Sequence, residues 1–480
     1  MTQLSAASAA PESPAIPVAR SPLAVAIPLV LTVGLPIGIW VAPFGLEAHA
    51  QHALAISAFM IGAWITHVLD HGIAGMIGCY LFWALGVVNF QSSFSGFVDT
   101  TPWFLFGAML FGAMATKSGL ARRVAYWIMR GVGYTYPRLL LGLILSGFIL
   151  TAPVQSGIAR VVILAAIAIG LIQAFGVGKG SNIARAMFII LVYTATIFDK
   201  MIIAGAASIT ARNLIEKVGE VQVLWSQWFL AYLPCDLITI FVAWRLALWL
   251  YPPEIESLPG GATFLNNELR KMGPLSRPEM KAALLMLLGV GLWMTDFLHD
   301  IPSPMIGLGV GLLAVIPGTG LLDKDDLRSI NFYPLLFVAS AISMAHVLTE
   351  TGALNVVTMA FTGWMEQFIT GVWSSSVVLY WSAFIYHIVI GDEISMLATS
   401  IPVLMNYAKT HGLDPLVLGM IWTFGAGAKV FVYQSGVLVV GYSYGYFEPR
   451  DMFKVGLALT IVEFFILLLL APFYWPLIGL

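Results

Sequence analysis

WFLFGAMLFGAMATKSGLARRVAYWIMRGVG, residues 103–133, and PLLFVASAISMAHVLTETGALNVVTMAFTG, residues 334–363, read as two copies of one unit. Each is an apolar helix, a turn at Ser118-Gly119 or Thr351-Gly352, and then an amphipathic segment. Their charges differ in kind. From Lys117 to Arg138 there are five basic residues (Lys117, Arg122, Arg123, Arg130, Arg138) and no acid. From Glu350 to Gly371 there is no Lys or Arg, and two acids, Glu350 and Glu366. Basic loops beside membrane helices stay in the cytoplasm, so the two copies are expected on opposite sides of a bilayer. An inverted-topology repeat is the architecture of a secondary transporter.

Composition points the same way. The chain is 59% hydrophobic and 10% charged, whereas a soluble domain has roughly a quarter of its residues charged. Its 480 residues leave room for about ten to twelve spans of ~20 residues. A net charge of −2 argues against a nucleic-acid partner. Cys79 and Cys235 both lie in apolar stretches, so no disulfide framework is implied. Residues 1–22 are rich in Ala, Ser and Pro and are expected to be disordered. They lack the basic start and cleavage site of a secretory signal, so the first span is expected to be retained. The expected location is the bacterial inner (plasma) membrane, multi-pass, with a cytoplasmic N-terminus.

Apolar spans read at 23–43, 48–68, 72–89, 102–117, 137–152, 158–176, 184–209, 227–250, 281–297, 303–318, 332–348, 372–391, 394–408, 414–433 and 452–475. The pairs 137–152/158–176 and 372–391/394–408 are helix–turn–helix units broken by PVQSG and GDEIS. Broken backbone at membrane depth is tolerated only where protein or a watery cavity covers it. These breaks, and those at 199–208 and 429–436, are therefore candidate binding sites. The fold class expected is an all-α polytopic membrane protein: an inverted-topology repeat with two re-entrant hairpins and broken transmembrane helices. Residues 23–250 form repeat one and 281–480 repeat two, each with scaffold helices and a hairpin. The mixed-charge, Pro- and Gly-containing stretch 251–280 reads as a cytoplasmic linker. The loops 321–329 and 295–300 are acid-leaning, which fits the outside face.

Several segments resemble the divalent anion/sodium symporter family, whose members move dicarboxylates, citrate or sulfate. They are ATKSGLARRVAYWIMRGVG followed by a broken hairpin, KMGPLSRPEMK, GYFEPRDMFKVGLALTIVE and the ending FYWPLIGL. The resemblance implies a homodimer in which each protomer has a scaffold domain and a transport domain that moves by elevator-type alternating access. In that family two Ser-Asn-Thr hairpin tips bind substrate carboxylates and help to coordinate sodium. This chain departs there, with Gln155-Ser156-Gly157 at the first tip and Asp392-Glu393-Ile394 at the second. The loops that follow the hairpins, Gly-Thr-Pro-Pro-Asn in type, are replaced by Gly205-Ala206-Ala207-Ser208 and Gly436-Val437-Leu438-Val439. Fold and transport role carry over from the resemblance; sodium coupling and dicarboxylate specificity do not.

Ionisable residues inside a membrane are costly unless paired, so each is a functional candidate. Arg160, Asp199, Lys200, Asp392, Glu393 and Lys429 fall at or near the four breaks. Lys200 and Lys429 hold matching places before Gly205 and Gly436, and a pseudo-twofold would bring them to one midplane site. There they either stand in for bound sodium and grip an anion, or pair with Asp199, Asp392 or Glu393. Three basic and three acidic groups make a neutral site, which binds a dianion poorly unless a cation or proton joins it. Adjacent buried carboxylates favour proton uptake, so Asp392 and Glu393, with Asp199 and Arg160, are the candidates for coupling to H+. Coupling to Na+, and exchange without a net cation, remain open. Gln155-Ser156-Gly157 recurs as Gln434-Ser435-Gly436, offering hydrogen-bond donors at helix N-termini that favour anions. Ser208 and Tyr433 are weaker members of the cluster.

His387, just over one turn before Asp392, could relay protons, although a lone intramembrane His more often serves packing. His67, Asp70 and His71 have metal-like spacing but read as an interfacial loop, and no metal is expected. The function expected is a secondary active transporter of a small anion, such as a dicarboxylate, sulfate or sulfonate. The rival is a cation/proton antiporter using Asp392, Glu393 and Asp199; two extra lysines argue against it. No HExxH, GxSxG or Cys/His cluster suggests an enzyme.

Overall fold

The computed structural model describes residues 22–480 except 152, 153, 155, 204, 300, 391 and 392. Gln155, Asp392 and the N-terminal stretch expected to be disordered lie outside the described residues. The described chain is all-helical, with one isolated bridge between Thr135 and Ser257. Six helices are long and apolar enough to cross a membrane: Gly157–Phe175, Asn182–Gly219 (interrupted at 202–205), Trp225–Leu250, Tyr333–Glu350, Val372–Ile390 and Pro449–Ile478. A bent pair, Thr100–Ser118 and Leu120–Val132, turns by 69° and makes a seventh. Helices such as Tyr136–Thr151 and Pro415–Ala426 are apolar but shorter.

The order of elements recurs. Thr100–Ser118 and Tyr333–Glu350 each end at a glycine of positive φ, Gly119 (81°) and Gly352 (72°). A left-handed residue just past a helix terminates it, and glycine adopts that shape without a Cβ penalty. The amphipathic Leu120–Val132 and Ala353–Thr362 follow, then a two-helix hairpin in each half, Tyr136–Thr151/Gly157–Phe175 and Val372–Ile390/Glu393–Thr410. After each hairpin comes an interrupted helix: Asn182–Met201 then Ala206–Gly219, and Pro415–Ala426 then Gly436–Ser443. The halves interlock. Ala206–Gly219 packs on Glu393–Thr410 of the other half, and Gly436–Ser443 packs on Gly157–Phe175.

The remaining helices pack through small residues, as membrane helices do when dispersion must replace the hydrophobic effect. Gly107 of Thr100–Ser118 lies backbone-to-backbone on Gly307 of Ser303–Leu313. Gly72 and Gly75 of His71–Ala84 abut Tyr333 and Ser340.

The segments that carry the family resemblance hold elements together. KMGPLSRPEMK is a socket for Arg123, whose guanidinium donates to Glu279 (Nε–Oε1 2.7 Å) and to the carbonyls of Met272, Gly273 and Pro274. Both side chains are buried, so Arg123 is more than a topology signal, whereas Arg122 and Arg130 are exposed. In FYWPLIGL, the Tyr474 hydroxyl donates to Leu230 O at 3.0 Å and Trp475 Nε1 to Ala231 O at 3.1 Å. Pro234, inside Trp225–Leu250, has no N–H for the carbonyl of Leu230. The tyrosine supplies the missing donor.

One expectation needs correction. The loop 321–329 is not on the face away from the linker: Lys117 pairs with Asp323 (2.7 Å) and with Asp326, and Lys281 Nζ donates to Thr319 O. Hydrogen bonds from Lys117 and from backbone N–H groups lower the Asp323 carboxyl to about 2, so the exposed clasp stays ionised at neutral pH and is lost only as pH falls towards that value. At the other end of the helices, Lys217 meets Asp99 (3.6 Å), Lys409 meets Glu220 (2.6 Å) and Asn406 Nδ2 donates to Asn355 Oδ1 (3.0 Å). The HVLDH stretch makes no metal site among the described residues; Asp70 caps His71–Ala84 and His71 Nε2 hydrogen-bonds Trp64 O.

Removing one partner of a buried ion pair typically costs about 3–5 kcal/mol. Arg123→Ala is therefore expected to lower the unfolding midpoint in detergent sharply, and Arg123→Lys, lacking the planar fork, to restore only part. Arg122→Ala should leave the midpoint unchanged; equal losses for Arg122 and Arg123 would refute the socket.

Candidate functional site

The first break is organised around Asp199. Ser156 caps Gly157–Phe175, its hydroxyl accepting from Ala159 N at 3.3 Å. One turn on, Arg160 is fully buried; it pairs with Asp199 through Nη2 and donates to the carbonyls of Val154 (2.6 Å) and Ala195 (3.0 Å). The Asp199 carboxylate fills the space where a Gly157 side chain would be, and it also lies against Gly205. It thus sits at the openings of two helices, Gly157–Phe175 and Ala206–Gly219, where exposed N–H groups and the helix dipole favour negative charge. Ser208, beside it, donates to the carbonyls of Ile202 and Gly205.

The second break repeats the pattern with the charges exchanged. Glu393 opens the second arm of its hairpin, and its Oε2 is 3.0 Å from Lys429 Nζ, which also donates to Gly427 O at 3.1 Å. Here the hairpin carries the acid and the interrupted helix the base; at the first break the hairpin carries the base. Asp199 is also within electrostatic reach of Glu393 and Lys429. In both pairs the cation is the deeper partner: Arg160 and Lys429 are 0% and 1% exposed, Asp199 and Glu393 15% and 14%. The carboxylates face the opening and the cations lie beneath.

Gln434 ties this break together. Its Oε1 accepts from the N–H groups of Val430 and Phe431, both at 2.8 Å, and its carbonyl hydrogen-bonds His387 Nε2 at 3.0 Å. Its Nε2 is buried with no hydrogen-bond partner, a donor left over. Ser435 caps Gly436–Ser443 by accepting from Val437 N. Val437 touches the space above Gly157, so the two breaks meet. Tyr433 is half-exposed, and its hydroxyl donates to Ile388 O.

Lys200 departs from expectation. It pairs with neither Asp199 nor Glu393. Its Nζ is 3.1 Å from Glu463 and 3.6 Å from Asp236, and lies over the Phe424 ring at 4.1 Å. The reason is helical geometry: neighbouring residues point about 100° apart, so when Asp199 faces the hairpin, Lys200 faces Trp225–Leu250 and Pro449–Leu469. The two lysines nevertheless converge, since Lys200 Nζ packs against Gly427, whose carbonyl accepts from Lys429. Sequence reading passed over Asp236 and Glu463. The signal was present: each is an acid inside an apolar run, at 227–250 and 452–475.

The family's sequence pattern, described as the sodium:sulfate symporter transmembrane region, matches residues 23–480. The chain belongs to the divalent anion/sodium symporter family. A citrate/succinate antiporter of Escherichia coli K12 is 26% identical over 403 residues, 80% of each chain. Dicarboxylate transporter 1 of Arabidopsis thaliana chloroplasts is 25% identical over 503 aligned residues, covering 99% of this chain and 88% of its own. A protein of Cupriavidus necator named only as a membrane protein is 27% identical over 469 residues, 91% of this chain and 89% of its own. The family and the two relatives named for a cargo are transporters, not enzymes.

The recurring Gln-Ser-Gly motif allows a sharp test. A Cβ at Gly157 would strike the Asp199 carboxylate and Val437 (2.7 Å), whereas one at Gly436 meets Ile158 at an ordinary 3.6 Å. Overpacking costs about 1–3 kcal/mol. Gly157→Ala is expected to abolish transport by displacing Asp199, with Gly436→Ala close to wild type in the same uptake assay. Equal tolerance at both glycines would show that Asp199 is not confined there.

Proposed function

We propose that the protein is a secondary active transporter of small dicarboxylates, coupled to protons rather than sodium, with the substrate held where the two breaks meet. The observation that carries this reading is the pair of buried cations, Arg160 and Lys429, each lying under a partly exposed carboxylate. A sodium ion at either break would have to share the place with a guanidinium or an ammonium already bonded to carbonyl oxygens, and like charges at such range repel strongly. The four tip charges among the described residues cancel, so these two pairs are neutral before a substrate enters. A dianion entering the site becomes neutral only if two positive charges accompany it, and protons on Asp199 and Glu393 supply them. Protonation then releases Arg160 and Lys429 towards the substrate, with Gln434 Nε2 as an added donor. The relatives named for citrate, succinate and dicarboxylates support that substrate class.

The same reading takes the repeats as inverted. Support comes from the two sets of end contacts: the Ser118-Gly119 turn lies with Asp323 and the linker, whereas Asn355 lies with Asn406, near the Lys409–Glu220 and Lys217–Asp99 pairs. Membership of the family supports elevator movement of the hairpins against a homodimeric scaffold. A cation/proton antiporter is less favoured, because Asp199 and Glu393 already have basic partners.

Uptake of radiolabelled succinate and malate into proteoliposomes tests this reading. An inward proton gradient should drive accumulation and a sodium gradient should not. Lys429→Ala should lower uptake by about 100-fold, equivalent to about 3 kcal/mol of lost binding, and Glu393→Gln should flatten its pH dependence. A strict sodium requirement, or no uptake of any dicarboxylate, overturns the proposal.

A further inference from the structure

Lys200, Asp236 and Glu463 form a second charge cluster that the anion chamber does not use. It is assembled from both halves: Lys200 ends Asn182–Met201, Asp236 lies mid-way along Trp225–Leu250, and Glu463 projects from Pro449–Leu469, with Phe424 of Pro415–Ala426 beneath the ammonium. All three charged side chains are almost completely buried. One cation faces two acids, so the cluster as written carries a surplus negative charge. Glu463 takes the hydrogen bond from Lys200 at 3.1 Å. Asp236 stands at 3.6 Å, and neither of its oxygens has a hydrogen-bond partner among the described residues.

The titratable groups around it are accounted for. The Tyr232 hydroxyl donates to Met420 O, Tyr380 to Thr460 O, and Tyr193 to the carbonyls of Lys429 and Met452. Cys235 Sγ faces Thr239. None of these groups donates to Asp236, and the one nearby base is shared with Glu463. An ionised carboxylate buried without hydrogen bonds is among the most unfavourable arrangements a protein can hold. A proton on Asp236 removes the surplus charge.

We infer that the Lys200–Asp236–Glu463 cluster is a proton-binding site separate from the hairpin tips, with Asp236 as the carboxyl that takes the proton. It is linked to the anion chamber through residues 427–429: Lys200 packs on Gly427, Lys429 donates to the Gly427 carbonyl, and Tyr193 donates to the Lys429 carbonyl. Gain or loss of the Asp236 proton shifts the Lys200 ammonium, and that shift reaches the segment bearing Lys429. Its exchange during transport rests on the proposed function; its presence in the resting protein does not.

The experiment uses the purified full chain in lipid nanodiscs. Infrared spectra across a pH titration should show a protonated-carboxyl C=O band in wild type that is missing in Asp236→Asn and retained in Glu393→Gln. Should Asp236→Asn fail to fold, Asp236→Glu keeps a carboxyl and should move the band rather than delete it. Identical bands in wild type and both Asp236 variants overturn the proposal, as does stabilisation by sodium that Asp236→Asn removes. Absence of dicarboxylate uptake with the band in place would sink the transport reading and leave this site standing.

Discussion

A charge in the middle of a bilayer is tolerated only with a partner, and that requirement organises the interior of this protein. Arg160 holds Asp199, Lys429 holds Glu393, and Lys200 is divided between Glu463 and Asp236. Each of these contacts joins different helices. The helices are thus stitched together by their buried charges, and on the proposed reading a substrate competes with internal partners for the same cations.

The broad plan was legible because it is written in periodicities and turns. The apolar runs at 158–176, 227–250, 372–391 and 394–408 match Gly157–Phe175, Trp225–Leu250, Val372–Ile390 and Glu393–Thr410 closely. Gly119 and Gly352 marked equivalent turns because a left-handed helix stop is a local demand that a single residue meets. The breaks were legible for the same reason: charge and glycine fall together there, where the backbone leaves the helix.

Pairing was not legible. It depends on which side of a helix a residue faces after packing, and a one-residue step turns the side chain by about 100°. Spacing before the two glycines suggested Lys200 and Lys429 as equivalents. In the structure, the position that balances Lys429 is Arg160, on the other hairpin. Asp236 and Glu463 went unread because they lie inside uninterrupted spans, where no break advertises them. The loop 321–329 was misplaced because its acids suggested a side of the membrane, while Lys117 sets its location through a direct ion pair.

The exchange of signs between the breaks has its own consequence. With base and acid on hairpin and interrupted helix in one half, and acid and base in the other, two ion pairs of opposite sense come together where the halves meet, Arg160–Asp199 and Glu393–Lys429. Neutralising one member changes the field at the others, so the effects of single substitutions there should not add. On the proposed coupling, a proton arriving at Asp199 weakens the hold on Arg160 and leaves the Glu393–Lys429 pair in place. Full release of both cations then needs a proton on each carboxylate, so that one dianion draws two protons by electrostatics.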